Sequence, residues 1–284
     1  MTAAVTISID LELAWGNWDD ITSAQIDRID QLERQINSRL IELFDRYEVP
    51  VTWAIVAALL DRDSALGRPG YERHWYAPDV IEYIVSAKTR HDIGSHSGRH
   101  IYFDRVSEEE ARADLAFARE IHQRAGLDFT SFVYPRNRVA RADIIGDAGL
   151  KVYRGEDWAW HQWLRRRSVH AGRIANLIDK ILPIAPEPVW PTCQANLTDL
   201  AGSMLFLGRN GLRRMVGRDS IAAKLTMGMD SAEHSGGVFH LWFHPSNFYH
   251  RTDEQFAVFE TFLVEASNRR ETDRLEIKPM AGYV

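Results

Sequence analysis

Two histidines that stand four residues apart, His96 and His100, carry the clearest chemical signal in this sequence. Imidazole is a common ligand for metal ions, and on a helical turn this spacing would place both rings on one face. A short strand predicted at 92–95 leads into the pair, so we expect the histidines where a strand opens into a loop. In α/β proteins such loops hold the groups that bind ligands and perform catalysis.

Two acidic residues, Asp10 and Glu12, follow another predicted strand at 5–9. Side chains two residues apart in a strand point the same way, so both carboxylates share one face at its carboxyl end. Neighbouring carboxylates repel unless a cation or a proton lies between them, although a solvated strand end also tolerates them. Together, the two histidines and the two acids supply two imidazoles and one carboxylate for a metal ion, and a second carboxylate remains.

Strand-like and helix-like segments alternate along the chain, without an internal repeat, linker or low-complexity break. Apolar residues recur every three or four positions between 23 and 47, which predicts one long helix. Short apolar, often β-branched runs predict strands near 5–9, 51–56, 92–95, 129–134, 150–153, 189–194, 238–243 and 275–278. This order predicts an α/β fold, a single (β/α) barrel, open or closed, formed as one domain by residues 1–284.

The composition narrows the range of functions. The 284 residues are 45% hydrophobic and carry a formal net charge of −6, which argues against broad binding to nucleic acids or anionic membranes. Cys193 is the only cysteine, so the chain cannot form an internal disulfide or a cysteine metal cage. The start of the sequence lacks a signal-peptide pattern and no stretch suits a transmembrane helix, so the predicted location is the cytoplasm.

Both pairs together resemble motifs of the carbohydrate esterase family 4 polysaccharide deacetylases, the NodB-homology group, whose members fold as distorted (β/α) barrels. Residues 8–12 (SIDLE) match the D-x-E form of the first motif, a strand that ends in two acids. The second motif, H-S/T-x-x-H, is matched in full by residues 96–100 (HSGRH). The resemblance implies that Asp10 is the catalytic base. It also implies that Glu12, His96 and His100 hold one divalent metal ion, with Zn²⁺ expected and Co²⁺, Mn²⁺ and Fe²⁺ as alternatives.

The third motif departs from the family pattern. Residues 133–137 (VYPRN) stand where the family usually has Arg-Pro-Pro-Tyr-Gly, so the arginine that contacts the base is absent from its place. Arg136 and Arg154 are the two candidates to replace it. The resemblance further implies that the backbone N–H of Arg136 is a donor to the oxyanion of the reaction.

The fourth and fifth motifs are matched in part. The pair Asp157-Trp158 corresponds to the family's Asp-Trp, in which the acid orients the general acid and the tryptophan walls the acetyl pocket. Residues 242–244 (WFH) correspond to Leu-x-His with tryptophan in place of leucine. The resemblance therefore implies that His244 is the general acid and that Trp242 lies at the substrate site.

The function implied is a metal-dependent hydrolase that removes N-acetyl groups from an amino sugar in a glycan or glycan precursor, so the expected partner is an N-acetylated saccharide. Two alternatives stay open: hydrolysis of a non-sugar amide or imide, and a catalytically weak carbohydrate-binding homologue, which the missing third-motif arginine favours. Non-haem Fe(II) oxygenases also use two histidines and a carboxylate. Their all-β jelly roll conflicts with the alternation of strands and helices here.

Two of the nine tryptophans, Trp15 and Trp18, lie close to the first motif. Aromatic side chains suit the flat faces of sugar rings, but they also fill protein cores. The sequence leaves both interpretations open for these two residues.

Overall fold

The computed structural model describes residues 2–68, 72–157 and 184–284. Its strands are β1 (Ala4–Leu11), β2 (Thr52–Ile55), β3 (Asp92–Ser95), β4 (Ser131–Val133), β5 (Val152–Arg154), β6 (Thr192–Gln194), β7 (Leu197–Asp199), β8 (Met204–Leu205), β9 (Val238–Phe243) and β10 (Glu276–Ile277). Its α-helices are α1 (Ser23–Arg28), α2 (Arg34–Arg46), α3 (Arg62–Ala65), α4 (Glu72–Trp75), α5 (Pro78–Val85), α6 (Glu108–Arg124), α7 (Ala142–Asp147), α8 (Arg218–Ser235) and α9 (Thr252–Glu271). Short 3₁₀ segments lie at Leu13–Asn17, Ala57–Leu60, Pro135–Asn137, Gly211–Met215, Pro245–Phe248 and Met280–Tyr283.

The described strands form one sheet in the order β6-β7-β5-β4-β3-β2-β1-β9-β8, and β10 also pairs with β1. Neighbouring strands run parallel except β6 and β7, which form an antiparallel pair at one edge. The sheet forms a half-barrel with flanking helices, so the predicted α/β fold of the distorted (β/α)-barrel type is confirmed in its open form. The short strands β7 and β8 are additions to the predicted set.

The longest of the described strands is β1, which is buried along its whole length. It pairs in parallel with β2 on one side and with β9 on the other. Its odd-numbered apolar residues from Val5 to Leu11 belong to the main core. The alternate residues Thr6, Ser8 and Asp10 are polar and bond across the interior of the half-barrel. The period of two in the sequence therefore separates a packing face from a chemical face.

The predicted long helix between 23 and 47 is interrupted by a π-helical segment, Ile29–Glu33, which joins α1 to α2. A π turn contains one more residue than an α turn and occurs often at functional sites. Here it holds Glu33 at 2% exposure. The hydroxyl of Tyr249 donates a hydrogen bond to the Glu33 carboxylate, and burial raises the pKa of Glu33 to about 7.

No helix among the described residues combines the length and apolar character that a membrane crossing needs.

The raised pKa of Glu33 predicts a pH-dependent contribution to stability. In the unfolded chain the group titrates near 4.5, and in the folded chain near 7. Folding therefore favours the protonated form, and this contribution is present below pH 4.5 and is lost as the pH rises to 7. We expect Glu33→Gln to reduce the fall in unfolding free energy between pH 5 and pH 8 by about 2 to 3 kcal/mol.

Urea denaturation at several pH values measures this effect. Glu42→Gln is the matched control, because Glu42 is exposed on α2. It should leave the pH dependence as it is in the original chain. An unchanged pH dependence in Glu33→Gln would contradict the prediction.

Candidate metal and catalytic site

The carboxyl ends of four strands meet at one edge of the half-barrel. Glu12 follows β1, His96 follows β3, Arg154 ends β5 and His244 follows β9. In parallel α/β sheets the groups at this edge face a common crevice. Residues from distant parts of the chain are thereby brought within contact distance.

The side chains of Glu12, His96 and His100 converge on one point. The Oε1 atom of Glu12 lies 3.0 Å from Nε2 of His96 and 3.1 Å from Nε2 of His100. Both histidines are fully buried, and 15% of the Glu12 side chain is exposed. The three candidate ligand atoms lie within 4.8 Å of one another, a separation that suits a shared cation.

The surroundings of His96 fit a metal site. Its Nδ1 atom lies 2.8 Å from the carbonyl oxygen of Val133, which can only accept, so Nδ1 carries a hydrogen. In the neutral ring, Nε2 then presents a lone pair to the Glu12 carboxylate at 3.0 Å. Two acceptors at this distance require a cation or a second proton between them. Metal-binding histidines are typically oriented by such a bond from the opposite ring nitrogen.

The other two ligands also fit. Burial lowers the pKa of His100 even beside the Glu12 carboxylate, which favours the neutral ring that metals bind. Burial opposes ionisation of Glu12, but His244 and His100 outweigh it and hold the pKa of Glu12 well below its usual range. Two imidazole nitrogens and a carboxylate oxygen are ligands that Zn²⁺ and related transition metals accept.

The two histidines lie on a loop, as expected from the strand before them, but the helical turn considered for their spacing is wrong. Ser97 and His100 have left-handed backbone conformations, with φ values of 68° and 58°. Asp114 of α6 holds the loop, because its carboxylate accepts the backbone N–H groups of Gly98 and Arg99 at 2.6 and 2.9 Å. A Cβ atom on Gly98 would lie 2.6 Å from the carbonyl oxygen of Asp114, so only glycine fits this approach.

Asp10 forms a buried ion pair with Arg154. The guanidinium donates from Nη1 to Oδ1 and from Nη2 to Oδ2, both at 2.7 Å. The arginine side chain is fully buried and that of Asp10 is 3% exposed. Burial would raise the pKa of Asp10, but the guanidinium, assisted by His96 and His244, outweighs it and lowers the pKa. Of the two candidate replacements for the third-motif arginine, Arg154 is the one that contacts Asp10.

The guanidinium of Arg154 is held on several sides. It donates to Ser8 Oγ at 3.0 Å and lies 4.2 Å from the ring centroid of Trp242. Ser8 Oγ is 2.9 Å from Nε2 of His240, whose Nδ1 is 3.0 Å from the carbonyl oxygen of Ala201. Burial, together with Arg154, lowers the pKa of His240 to about 3. The ring is therefore neutral, donates to Ala201 and accepts from Ser8.

His244 lies over both acids. Its Nε2 atom is 3.3 Å from Glu12 Oε1 and 3.6 Å from Asp10 Oδ2, and 28% of its side chain is exposed. Its backbone N–H donates to Oδ1 of Asn247 at 2.8 Å. Burial would lower the pKa of His244, but the two carboxylates outweigh it and raise the pKa to about 9. The ring is thus poised to hold a proton at the solvent side of the site.

The fourth-motif acid lies behind Trp242. Asp157 accepts hydrogen bonds from Nε1 of Trp242 at 3.0 Å and from Nδ2 of Asn137 at 3.2 Å. Burial raises the pKa of Asp157 to about 6. The centroid of the Trp242 ring lies 5.9 Å from that of the His244 ring, so Trp242 contacts both the acid and the imidazole. Trp158, the predicted wall of the acetyl pocket, lies outside the described residues.

The side chain of Arg136 lies away from the base. Its Nη2 atom donates to the carbonyl oxygen of Gly16 at 2.9 Å and lies 3.7 Å from a carboxylate oxygen of Asp19. The residue has φ 56° and ψ 22°, a left-handed conformation within the 3₁₀ segment that follows β4. The guanidinium thus binds the loop after β1, and the predicted role of the Arg136 backbone N–H stays a prediction.

The two tryptophans near the first motif differ. Trp15 is fully buried and donates from Nε1 to the carbonyl oxygen of Trp75, so it belongs to the core. Trp18 is 38% exposed and donates from Nε1 to the carbonyl oxygen of His100 at 3.1 Å. It therefore presents an aromatic face beside the histidine pair.

Comparison with known proteins supports this description. Residues 17–152 match a family model described as polysaccharide deacetylase. The matched stretch includes His96 and His100, whereas Asp10, Glu12, Arg154, Asp157 and His244 fall outside it. A search of curated proteins found no match.

Several solved structures share the fold. A candidate polysaccharide deacetylase from Mycobacterium smegmatis has 14% identity and a TM-score of 0.69, with 99% of this chain and 88% of that chain covered. The Puue allantoinase has 14% identity and a TM-score of 0.65, with 99% and 89% covered. A mutant of a CE4 family pseudoenzyme, with restored enzymatic activity, has 13% identity and a TM-score of 0.52, with 99% and 67% covered. At these identities the likeness concerns the fold.

The matched stretch and the half-barrel fold both resemble those of the polysaccharide deacetylases. The predicted resemblance to carbohydrate esterase family 4 is thereby confirmed. The match supports glycan deacetylation, a hydrolysis of amide bonds, as the class of reaction.

The buried ion pair predicts a large loss of stability in Arg154→Met. Removal of one partner leaves the other charge buried and uncompensated, which typically costs about 3–5 kcal/mol. We expect urea denaturation of Arg154→Met to show a loss of this size. The double variant Asp10→Asn/Arg154→Met should recover part of it, because neither charge is left alone.

Arg136→Met is the control, because the Arg136 side chain is 44% exposed. Exposed ion pairs contribute about 1 kcal/mol or less. Equal losses in Arg154→Met and Arg136→Met would contradict the stabilising role of the buried pair.

Proposed function

We propose that the protein is a metal-dependent hydrolase that removes N-acetyl groups from an amino sugar in a glycan or glycan precursor. The observation that carries the proposal is the convergence of Glu12, His96 and His100 on one point, with Asp10 and His244 beside it. This set contains a cation site, an ionised base and a protonated acid. The hydrolysis of an amide requires all three.

Glu12, His96 and His100 would hold one divalent ion, for which Zn²⁺ is our first choice and Co²⁺, Mn²⁺ and Fe²⁺ are the alternatives. Such an ion, when bound, polarises a carbonyl group and lowers the pKa of water to about 7. The hydrogen bond from His96 Nδ1 to the Val133 carbonyl supports this assignment, because it leaves Nε2 free to ligate.

Asp10 takes a proton from the attacking water in this mechanism. Arg154 supports the role, because it keeps the carboxylate ionised and fixes its orientation through two hydrogen bonds. The neutral His240 and Ser8 hold the guanidinium in turn. The missing third-motif arginine thus has a replacement from β5.

His244 then protonates the departing amine, which leaves poorly as an anion. Its position over Asp10 and Glu12 and its raised pKa support this role. Asp157 acts on it indirectly by holding the Trp242 ring that lies beside it. The backbone N–H of Arg136 is proposed as the donor to the oxyanion, and Trp158 as a wall of the acetyl pocket.

The exposed face of Trp18 supports a saccharide as the substrate. Sugar rings present C–H faces that pack on aromatic side chains, and Trp18 lies directly beside the loop that carries His100. Trp242 borders the same site from the side of β9. The predicted cytoplasmic location stays a prediction.

Hydrolysis of a non-sugar amide or imide is a second candidate, favoured by the similarity to the Puue allantoinase. The likeness to a CE4 pseudoenzyme bears on the third candidate, a catalytically weak homologue. The Asp10–Arg154 pair argues against that candidate, because it supplies the base with its usual type of partner.

Metal analysis tests the ligand set. We expect one divalent ion per chain and a more than 100-fold loss of affinity in His100→Ala, because even groups that only support a ligand contribute about 10- to 100-fold. His234→Ala is the control, since His234 is exposed on α8. Equal metal affinity in His100→Ala and His234→Ala would rule out the proposed site.

Acetate release from N-acetylated saccharides tests the base. We expect Asp10→Asn to lower kcat by about 10²- to 10⁴-fold with the metal content retained, because the variant loses only the proton acceptor. Asp20→Asn, on the exposed loop after β1, should keep full activity. Full activity in Asp10→Asn would overturn the assignment, and bound metal without turnover by the original chain would favour the weak homologue.

A further inference from the structure

A cavity of about 400 Å³ opens beside the proposed catalytic residues. Asp10, Glu12 and His244 belong to its lining, whereas His96 and His100 do not. The lining also includes residues of α1, of the π-helical segment and of the 3₁₀ segment at Gly211–Met215. A substrate whose amide lies at the catalytic residues would therefore place other parts of its structure in this space.

One wall of the cavity comes from a single helical face. Gln25, Arg28, Ile29 and Glu33 line it, and successive turns of the helix across the π segment contribute them. Glu33 is bonded to Tyr249, which lines the same cavity. The Glu33 carboxyl group therefore already has a hydrogen-bond partner within the protein. The guanidinium of Arg28 is the charged group of this wall that a ligand can bind.

A second arginine lines the cavity from another segment of the chain. Asn210 and Arg213 line it from the 3₁₀ segment and the residue before it, together with Asn247. Gly208 allows the close packing of this wall, since a Cβ atom there would lie 2.9 Å from Nδ2 of Asn247. Two amide side chains and a guanidinium thus face the cavity from this side.

The charged groups that line the cavity differ in whether they have a partner. Asp10 is paired with Arg154, and Glu12 faces the two histidines. Arg28 and Arg213, in contrast, form no ion pair or side-chain hydrogen bond with any residue in the described part of the chain. Arg34 and Arg39 of the neighbouring helix α2 are each paired with an aspartate.

We propose that Arg28 and Arg213 bind a phosphate group of the substrate, so that the substrate is a phosphorylated or phosphate-linked N-acetylated sugar. Guanidinium groups bind phosphate oxygens through paired hydrogen bonds, and the neighbouring amides of Asn210 and Asn247 supply further donors. This inference rests on the proposed function for the position of the amide. It adds the chemical class of the group attached to the sugar.

Calorimetric binding tests the inference on the metal-loaded chain of 284 residues in a phosphate-free buffer. The probes are N-acetylglucosamine 1-phosphate and N-acetylglucosamine, which differ only in the phosphate. We expect the phosphorylated sugar to bind at least about tenfold more tightly, because hydrogen bonds to charged groups are the stronger kind. The preference should shrink with increasing salt concentration.

The double variant Arg28→Gln/Arg213→Gln should bind both sugars with similar affinity. Arg214→Gln is the matched control, because Arg214 is exposed on the same 3₁₀ segment and does not line the cavity. Equal binding of the two sugars by the original chain overturns the inference. A preference that survives in the double variant also overturns it, since the phosphate would then bind elsewhere, for example at the metal.

The binding measurement separates this inference from the proposed function. A preference that depends on the two arginines, without acetate release from either sugar, would count against deacetylation and leave the phosphate site standing. Acetate release with equal affinity for both sugars would support deacetylation and reject the phosphate site.

Discussion

The bidentate pair between Arg154 and Asp10 is the contact on which the site depends. The two residues lie on β5 and β1, which three strands separate in the sheet, yet their polar atoms are 2.7 Å apart. The pair therefore spans the interior of the half-barrel and couples its curvature to the orientation of the base. A buried carboxylate without this partner would be protonated or would destabilise the fold. The same contact thus serves the architecture and the chemistry.

Around this pair, the polar interior is arranged so that each group has a defined protonation state. His240 is kept neutral by burial and by the adjacent guanidinium, whereas two carboxylates keep His244 charged. The two histidines stand at the start and the end of one short segment of chain, four residues apart. Their opposite behaviour follows from their neighbours alone, which is a general route to separate acid and base functions in one site.

Much of this arrangement follows from local sequence patterns. The alternation along β1 predicts that Asp10 and Glu12 share a face, and the strand before His96 predicts a loop at the sheet edge. The alternation of strands and helices predicts the fold class. These inferences hold because they depend on the periodicity of side chains along the backbone, which is a local property of each segment.

Other features depend on distances across the fold and leave little trace in the sequence. Arg154 is one of two arginines that could reach the base, and only the curvature of the sheet decides between them. The convergence of the histidine pair depends on left-handed residues in a loop that Asp114 holds from α6. Glu33 is an exception that the sequence could have indicated, because it is an acidic residue on an apolar helical face, four residues after Ile29 and three before Ile36. Its bond to Tyr249 joins segments more than 200 residues apart.

The π-helical segment also bears on how the residues that line the cleft can change between related chains. Each residue advances an α-helix by about 100°, so the loss of one residue between Ile29 and Glu33 would rotate α1 by that angle relative to α2. Gln25 and Arg28 would turn out of the cleft, while the apolar stripe of α2 would keep its place against the barrel. A single-codon deletion or insertion at this turn could therefore exchange the outer lining of the cleft in related chains and leave the catalytic edge intact.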